Sequence, residues 1–158
     1  MFIVNGQLSF VVDGMLGTLA KWLRILGYDT LFDPGLDDHQ LVRLARAENR
    51  VLLTRDRELA RRRGVRTLLV AGERLDEQIR QVLTDLNLTP GRPGAEGPSR
   101  CPVCNTPLAA MDRQEAAARV PAYVAHTQNE FRFCPGCGRV YWRGSHRQQM
   151  DRFLDQLV

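Results

Sequence analysis

Two hydrophobic patterns alternate along residues 1–90. Short aliphatic runs without polar alternation are typical of strands that are buried on both faces of a parallel sheet. The predicted strands are residues 8–13, 29–32, 51–54 and 66–70. Apolar residues between and after these runs recur every three or four positions, which predicts helices. The helical segments are residues 16–26, 41–49, 57–63 and 75–86. Four strands that each precede a helix predict an α/β fold, in which helices cover both faces of a mostly parallel sheet.

The pattern changes after the last of these helices. Residues 87–100 are rich in Pro and Gly and have no apolar period, which predicts a linker or a long loop. We therefore divide the chain into an α/β domain at 1–90, a linker at 91–100 and a small second domain at 101–158.

A C-terminal helix is predicted in the second domain. Ser145 and Gln148 have the spacing of a capping box at its start. Its apolar positions are Met150, Phe153, Leu154 and Leu157. We expect this face to pack on the rest of the second domain or on the first domain.

The second domain contains all four cysteines of the chain, in two Cys-x-x-Cys pairs. The pairs are Cys101 with Cys104 and Cys134 with Cys137. Each pair can present two thiolates to one ion from a tight turn, and four thiolates complete the tetrahedron that Zn²⁺ prefers. Disulfides and a redox function are the alternatives, but stable disulfides belong to oxidising compartments. We predict a structural zinc site in a zinc ribbon, whose short strands carry the aromatic residues around the second pair.

Composition and charge reduce the number of functional classes to which the protein can belong. The chain has 44% hydrophobic and 25% charged residues, which is ordinary globular usage. No apolar run approaches the ~20 residues of a membrane span, and residues 1–10 do not resemble a signal peptide, so we expect a cytoplasmic protein. The net charge is +4, and nearly all basic residues are Arg. Guanidinium groups suit phosphate, so a nucleic-acid partner is permitted but not required.

Acidic residues stand where the loops of such a sheet would meet. Asp13 ends the first strand, Asp37 and Asp38 open the second helix, and Asp56 follows the third strand. Asp37, Asp38 and Asp56 have a structural alternative as a helix cap or a first-turn acid, whereas Asp13 is harder to explain in this way. Because the carboxyl ends of parallel strands share one edge, Asp13, Asp38 and Asp56 are also expected to converge. Carboxylates with open water positions suit Mg²⁺ or Mn²⁺, which support phosphodiester hydrolysis.

Three stretches of the chain resemble the Mut-seven C-terminal ribonuclease family. They are "FVVDGMLGTLAKWLRILGYDTLFDPGLDD", "VLLTRDREL" and the block from "CPVC" to "CPGCGRVYWRGSH". The resemblance implies a PIN-like three-layer domain with an appended zinc ribbon, and a nuclease that cuts RNA with one or two divalent ions. It implies that Asp13 is the first acid of the site and Asp38 the second, with Asp37 in reserve. Asp56 is the third, in a Thr-x-Asp pattern in which Thr54 supports the acids.

Several basic residues are candidates for contacting the substrate. They are Lys21, Arg24, Arg55, Arg143 and His146. The alternative for Lys21 and Arg24 is a solvated helix face. For the whole protein, the main alternative is a nucleic-acid-binding zinc-ribbon protein without catalysis, and a further one is a small-molecule phosphohydrolase.

Overall fold

A computed structural model describes residues 8–88, 99–142, 151–153 and 155–156. Several predictions lie outside the described residues: most of the linker, the cap predicted at Ser145 and Gln148, the apolar positions Met150, Leu154 and Leu157, and the substrate candidates Arg143 and His146. The domain limits therefore stay a prediction. No helix among the described residues is long and apolar enough to cross a membrane.

A four-stranded parallel sheet forms the centre of the first domain. Its strands are β1 (Phe10–Val12), β2 (Thr30–Phe32), β3 (Val51–Thr54) and β4 (Thr67–Leu69). They lie in the order β2-β1-β3-β4, and every neighbouring pair is parallel. We call the edge where the strands begin the amino edge and the edge where they end the carboxyl edge. The sheet confirms the predicted α/β fold.

Helices connect the strands and cover both faces of the sheet. They are α1 (Gly17–Ile25), α2 (Asp38–Ala47), α3 (Arg57–Ala60) and α4 (Leu75–Asp85), with a 3₁₀ turn at Gly14–Leu16 before α1. Helix α3 is shorter than predicted. It ends after Ala60, where three consecutive exposed arginines offer no apolar side chain to bury.

The strand side chains alternate between two apolar cores. Phe10 and Val12 of β1 face the core on which α1 and α4 pack, whereas Val11 faces the core on which α2 and α3 pack. Strand β3 alternates in the same way, since Leu53 joins the first core and Leu52 the second. Because the strands are buried on both faces, their sequences are unbroken aliphatic runs.

The second domain contains an antiparallel sheet of three short strands. These are β5 (Ala109–Met111), β6 (Phe131–Phe133) and β7 (Val140–Trp142), in that order across the sheet. Two short helices that were not predicted, α5 (Arg113–Ala117) and α6 (Ala122–Thr127), occupy the long segment between β5 and β6. Ala116, Val124 and Phe131 form its small apolar core.

The C-terminal residues 151–153 and 155–156 are helical. The ring of Phe153 lies 4.9 Å from that of Trp22 on α1, measured between centroids. The described part of this helix therefore packs on the first domain.

Candidate functional site

The strand order has one topological switch point. The chain leaves β1 for β2 on one side and returns to β3 on the other, so the reversal lies between β1 and β3. In sheets of this kind, ligands bind beyond the carboxyl ends of the strands at such a point. Asp13 directly follows β1, Thr54 is the last residue of β3, and Asp56 follows two residues later. These three predicted residues therefore lie together at the carboxyl edge.

The hydroxyl of Thr54 links the two acids. Its Oγ1 donates a hydrogen bond to Asp13 Oδ2 at 2.9 Å and accepts one from the backbone N–H of Asp56 at 3.0 Å. Thr54 is fully buried, whereas Asp13 is half-buried and Asp56 is exposed. One buried side chain thus fixes a carboxylate and a backbone group that are 43 positions apart in the sequence.

Both acids also cap helical turns, which was predicted as an alternative for Asp56 and was not predicted for Asp13. Asp13 Oδ1 accepts from the N–H of Gly14 at the start of the 3₁₀ turn. Asp56 Oδ1 accepts from the N–H groups of Glu58 and Leu59 at the start of α3. No described residue donates a hydrogen bond to Asp56 Oδ2. This oxygen remains available to a ligand.

Asp37 and Asp38 begin α2 at the same edge, because α2 follows the carboxyl end of β2. Asp37 is the N-cap and forms a complete capping box with Gln40, with hydrogen bonds of 2.8 and 2.9 Å. Asp38 is the first helical residue and is exposed. Of the two, Asp38 has the carboxylate that is not used by the cap, and its selection over Asp37 stays a prediction.

Asp33 is a further acid at this edge, and the sequence reasoning missed it. The register pairs Val12 with Phe32, so Asp13 and Asp33 directly follow paired residues of neighbouring strands. Asp33 is exposed, and its Oδ1 accepts a hydrogen bond from the N–H of Gly35. The available signal was an acid directly after the second aliphatic run, the same pattern that drew attention to Asp13.

The acids do not surround a metal-sized site on all sides. Within the described residues, no three carboxylates bring their oxygens within 4.8 Å of one another, and only the cysteines form a cluster this tight. Mg²⁺ is usually held by one or two carboxylates together with water and substrate phosphate. An open set of oxygen donors around Asp13 and Asp56 fits that mode of binding.

The basic candidates occupy different environments. Lys21 is exposed on α1, and Arg55 is half-buried between Thr54 and Asp56. Arg24 does not fit the prediction that it contacts substrate, because it is only 6% exposed. Its guanidinium donates to the carbonyls of Thr30, Pro102 and Val103. A side chain held in this way at the amino edge does not reach a phosphate at the carboxyl edge.

The four cysteines meet in the second domain as predicted. Their sulfurs all lie within 4.8 Å of one another. Cys101 Sγ is 3.7 Å from Cys137 Sγ, and Cys104 Sγ is 3.2 Å from Cys134 Sγ. Four sulfurs at about 2.3 Å from one ion lie about 3.8 Å apart in a tetrahedron, so the donor set and its size suit Zn²⁺.

The surroundings of the cysteines shift the pKa values of their thiols. Hydrogen bonding with Thr106 lowers the pKa of Cys104 to about 6, whereas burial raises the pKa of Cys134 to about 11. The hydroxyl of Tyr141 lies 3.0 Å from Cys101 Sγ, and a hydrogen bond to Cys137 raises the pKa of Arg139. Such outer contacts orient and stabilise metal ligands.

The fold and the two groups of side chains define a class of protein. In this class, carboxylates lie at the switch point of a parallel α/β sheet, and four cysteines lie close together in an attached ribbon. The chain belongs to the Mut7-C RNAse domain family, whose model matches residues 8–154. The match spans both the sheet domain and the ribbon, and it confirms the resemblance seen in the sequence. No curated protein and no solved structure matches the chain.

Proposed function

We propose that the protein is a metal-dependent ribonuclease whose active site is the carboxyl edge of the parallel sheet. Asp13, Asp38 and Asp56 would hold Mg²⁺ or Mn²⁺, with Asp37 in reserve. Such an ion polarises a phosphoryl oxygen and lowers the pKa of bound water. The observation that carries the proposal is the hydroxyl of Thr54, which joins Asp13 to Asp56 at the switch point. Membership of a ribonuclease-type family supports RNA as the substrate.

The chain's own residues have distinct tasks in this proposal. Thr54 holds Asp13 in one orientation by donating to its Oδ2. Asp56 uses only Oδ1 for the cap of α3, which leaves Oδ2 for the ion. Asp38 offers an exposed carboxylate from the first turn of α2.

Basic residues would bind the phosphate backbone of RNA. Lys21 is exposed on α1, and Arg55 lies between the two residues that form the centre of the site. Arg143 and His146 remain candidates, and the ribbon would assist RNA binding. The net charge of +4 favours a polyanionic substrate without giving sequence specificity.

The test distinguishes the negative charge of each acid from its role as a helix cap. Asn caps helices nearly as well as Asp does, so Asp13→Asn and Asp56→Asn remove a carboxylate and keep the caps. We expect Mn²⁺-dependent cleavage of a labelled single-stranded RNA to fall by at least about 100-fold, the scale of a lost catalytic group. The melting temperature should fall by less than about 3 °C, which is roughly 1 kcal/mol.

Asp112→Asn is the matched control, because Asp112 caps α5 of the ribbon in the same way, by accepting from the N–H of Gln114. It should cleave RNA at the wild-type rate. Full activity in both Asp13→Asn and Asp56→Asn would end the ribonuclease proposal.

A second candidate function is nucleic-acid binding without catalysis. One observation favours it: Asp13, Asp37 and Asp56 all cap helical turns, so each has a structural reason to be present. This candidate requires that RNA is retained but not cut, with affinity that falls steeply as salt increases. A filter-binding titration beside a gel of the same RNA distinguishes the two functions.

A further inference from the structure

We propose that the metal held by the four cysteines also clamps the first domain at the amino edge of its sheet. The clamp is the cysteine loop, residues 101–105, which contains the first Cys-x-x-Cys pair. The loop contacts the first domain through Arg24, Asp29 and Thr30. The metal would then stabilise the sheet domain itself, in addition to the ribbon. This inference goes beyond the proposed activity and does not depend on it.

Arg24 joins the sheet to the cysteine loop. It lies near the end of α1, and its Nε donates to the carbonyl of Thr30 at 2.9 Å. Its Nη1 donates to the carbonyl of Pro102 at 2.9 Å and to that of Val103 at 3.3 Å. The carbonyl of Arg24 in turn accepts from the N–H of Arg100 at 2.8 Å. A single buried side chain is therefore shared between the two domains.

Asn105 makes the second connection from the loop. Its Oδ1 accepts from the N–H of Thr30 at 3.0 Å, and its Nδ2 donates to Asp29 Oδ1 at 2.7 Å. Asp29 also receives two hydrogen bonds from the guanidinium of Arg50, at 2.9 and 3.1 Å. Burial acts to raise the pKa of Asp29, but the bonds from Arg50 and Asn105 outweigh it and lower that pKa. Asp29 is thus charged and fully engaged at neutral pH.

The metal ligands determine the shape of this loop. The two carbonyls that Arg24 binds belong to Pro102 and Val103, which lie between the ligands Cys101 and Cys104. Asn105 directly follows the second ligand, and its N–H donates to the carbonyl of Cys101 at 2.8 Å. An ion that holds both sulfurs therefore also holds the groups that contact Arg24 and Thr30.

Charge complementarity acts in the same direction. Four thiolates around one Zn²⁺ leave a net negative charge on the site. Burial lowers the pKa of Arg24, whereas the charges of Cys101 and Cys104 act to raise it. The guanidinium of Arg24 binds the loop between Cys101 and Cys104 and therefore lies close to this negative charge.

The amide of Thr30 gives a specific readout. It begins β2, yet its hydrogen-bond acceptor is the Asn105 side chain of the ribbon. Val51 is the control because it begins β3 at the same edge, and its N–H donates to the backbone carbonyl of Ser9 in the first domain. After chelation of the metal, hydrogen exchange measured by NMR should accelerate by about tenfold or more at Thr30, the scale of one lost buried hydrogen bond. Exchange at Val51 should accelerate by a smaller factor than exchange at Thr30, since the acceptor of Val51 is not part of the ribbon.

Asn105→Gly is the variant that isolates the clamp. Asn105 has a φ of 72°, and Gly adopts positive φ without strain, so the substitution removes the amide and keeps the loop shape. The variant should bind one equivalent of Zn²⁺, since its four cysteines are intact. Exchange at Thr30 should already be fast with metal bound, and chelation should change it by less than about twofold, because its ribbon partner is gone.

In a Trp142→Phe background, Trp22 is the only Trp of the chain, so its fluorescence reports the unfolding of α1 together with the C-terminal helix that contacts it through Phe153. Chelation should lower the Trp22-detected melting temperature, and Asn105→Gly should reduce this drop by at least about half, as a coupled pair requires. If chelation unfolds the whole chain, exchange at Thr30 and Val51 no longer distinguishes the two amides, and the change in melting temperature then tests the clamp. Unchanged exchange at Thr30 after chelation, or an equal drop in both proteins, would overturn the clamp.

Discussion

Replacing Thr54 by Val removes one hydroxyl from the buried end of β3 and leaves the shape of the side chain almost unchanged. Both residues are β-branched, so the strand keeps its preference. The hydroxyl makes two hydrogen bonds, a donated one to Asp13 Oδ2 and an accepted one from the N–H of Asp56. The substitution therefore tests the connection between the two acids without touching either carboxylate.

The expected loss of stability follows from these two bonds. The bond to Asp13 involves a charged but half-exposed carboxylate, which places it near the lower end of its range, at about 1.5 kcal/mol. The bond from the Asp56 N–H adds about 1 kcal/mol. The sum of about 2.5 kcal/mol corresponds to a drop of about 5–10 °C in melting temperature, at about 2–4 °C per kcal/mol for a chain of this size.

Thr54→Ser is the matched control. It keeps the hydroxyl and loses one buried methyl group, at about 1 kcal/mol. We expect Thr54→Val to lose about tenfold or more in Mn²⁺-dependent RNA cleavage, because Asp13 is no longer oriented, and Thr54→Ser to stay within about threefold of wild type. Stability is measured by calorimetry and cleavage under single-turnover conditions. Equal activity in the two variants would refute the connecting role of the hydroxyl.

Three further predictions concern other charged groups. Asp33→Asn should reduce RNA cleavage with little change in melting temperature, because Asp33 lies beside Asp13 at the carboxyl edge; unchanged single-turnover cleavage would exclude it from the site. Zinc affinity should fall as pH decreases, because Cys134, with a pKa of about 11, must lose its proton to bind, and protonation of Cys104 below about pH 6 adds to the competition. A competition titration with a chromogenic chelator measures this, and a constant affinity between pH 8 and pH 5 would contradict it. Since the pKa of Asp29 is lowered by folding, its contribution to stability is present above its ordinary value of 3.8 and is lost as pH falls through the folded pKa. Urea unfolding at successive pH values should show this loss in the wild type and not in Asp29→Asn.

The strands and helices of the first domain could be predicted because their signals are local. The run Val51–Thr54 was predicted with its observed bounds. A strand that is buried on both faces is apolar along its length, so the first polar residues mark its ends. The capping box at Asp37 was likewise visible in the sequence. The two short helices of the ribbon were missed because five and six residues are too few to show a helical period.

The candidate site was predictable in part. Asp13 and Asp56 stand out because each follows an aliphatic run, whereas Thr54 was selected through the Thr-x-Asp pattern that the family resemblance implies. Asp33 has the same signal, but the turn-forming Pro34 and Gly35 that follow it directed attention to a loop. Only the register of β1 with β2 shows that Asp33 lies next to Asp13.

Arg24 shows the opposite case, in which the sequence suggested a surface role and the structure gives a buried one. Its spacing after Lys21 is compatible with an exposed helix face. Two of its three partners, however, are carbonyl groups 78 and 79 positions further along the chain. No local pattern encodes a hydrogen bond over that separation.

The sequence by itself determined the elements of the first domain, the two Cys-x-x-Cys pairs and the acids at the ends of the strands, because these depend on residue type and on spacing between near neighbours. The tertiary structure alone decided that the hydroxyl of Thr54 joins Asp13 to Asp56 and that the cysteine loop holds the amino edge of the sheet through Arg24 and Asn105. Both arrangements depend on which strands become neighbours and on where the ribbon packs. Those choices are made by burial of apolar surface over the whole chain, and no single segment contains them.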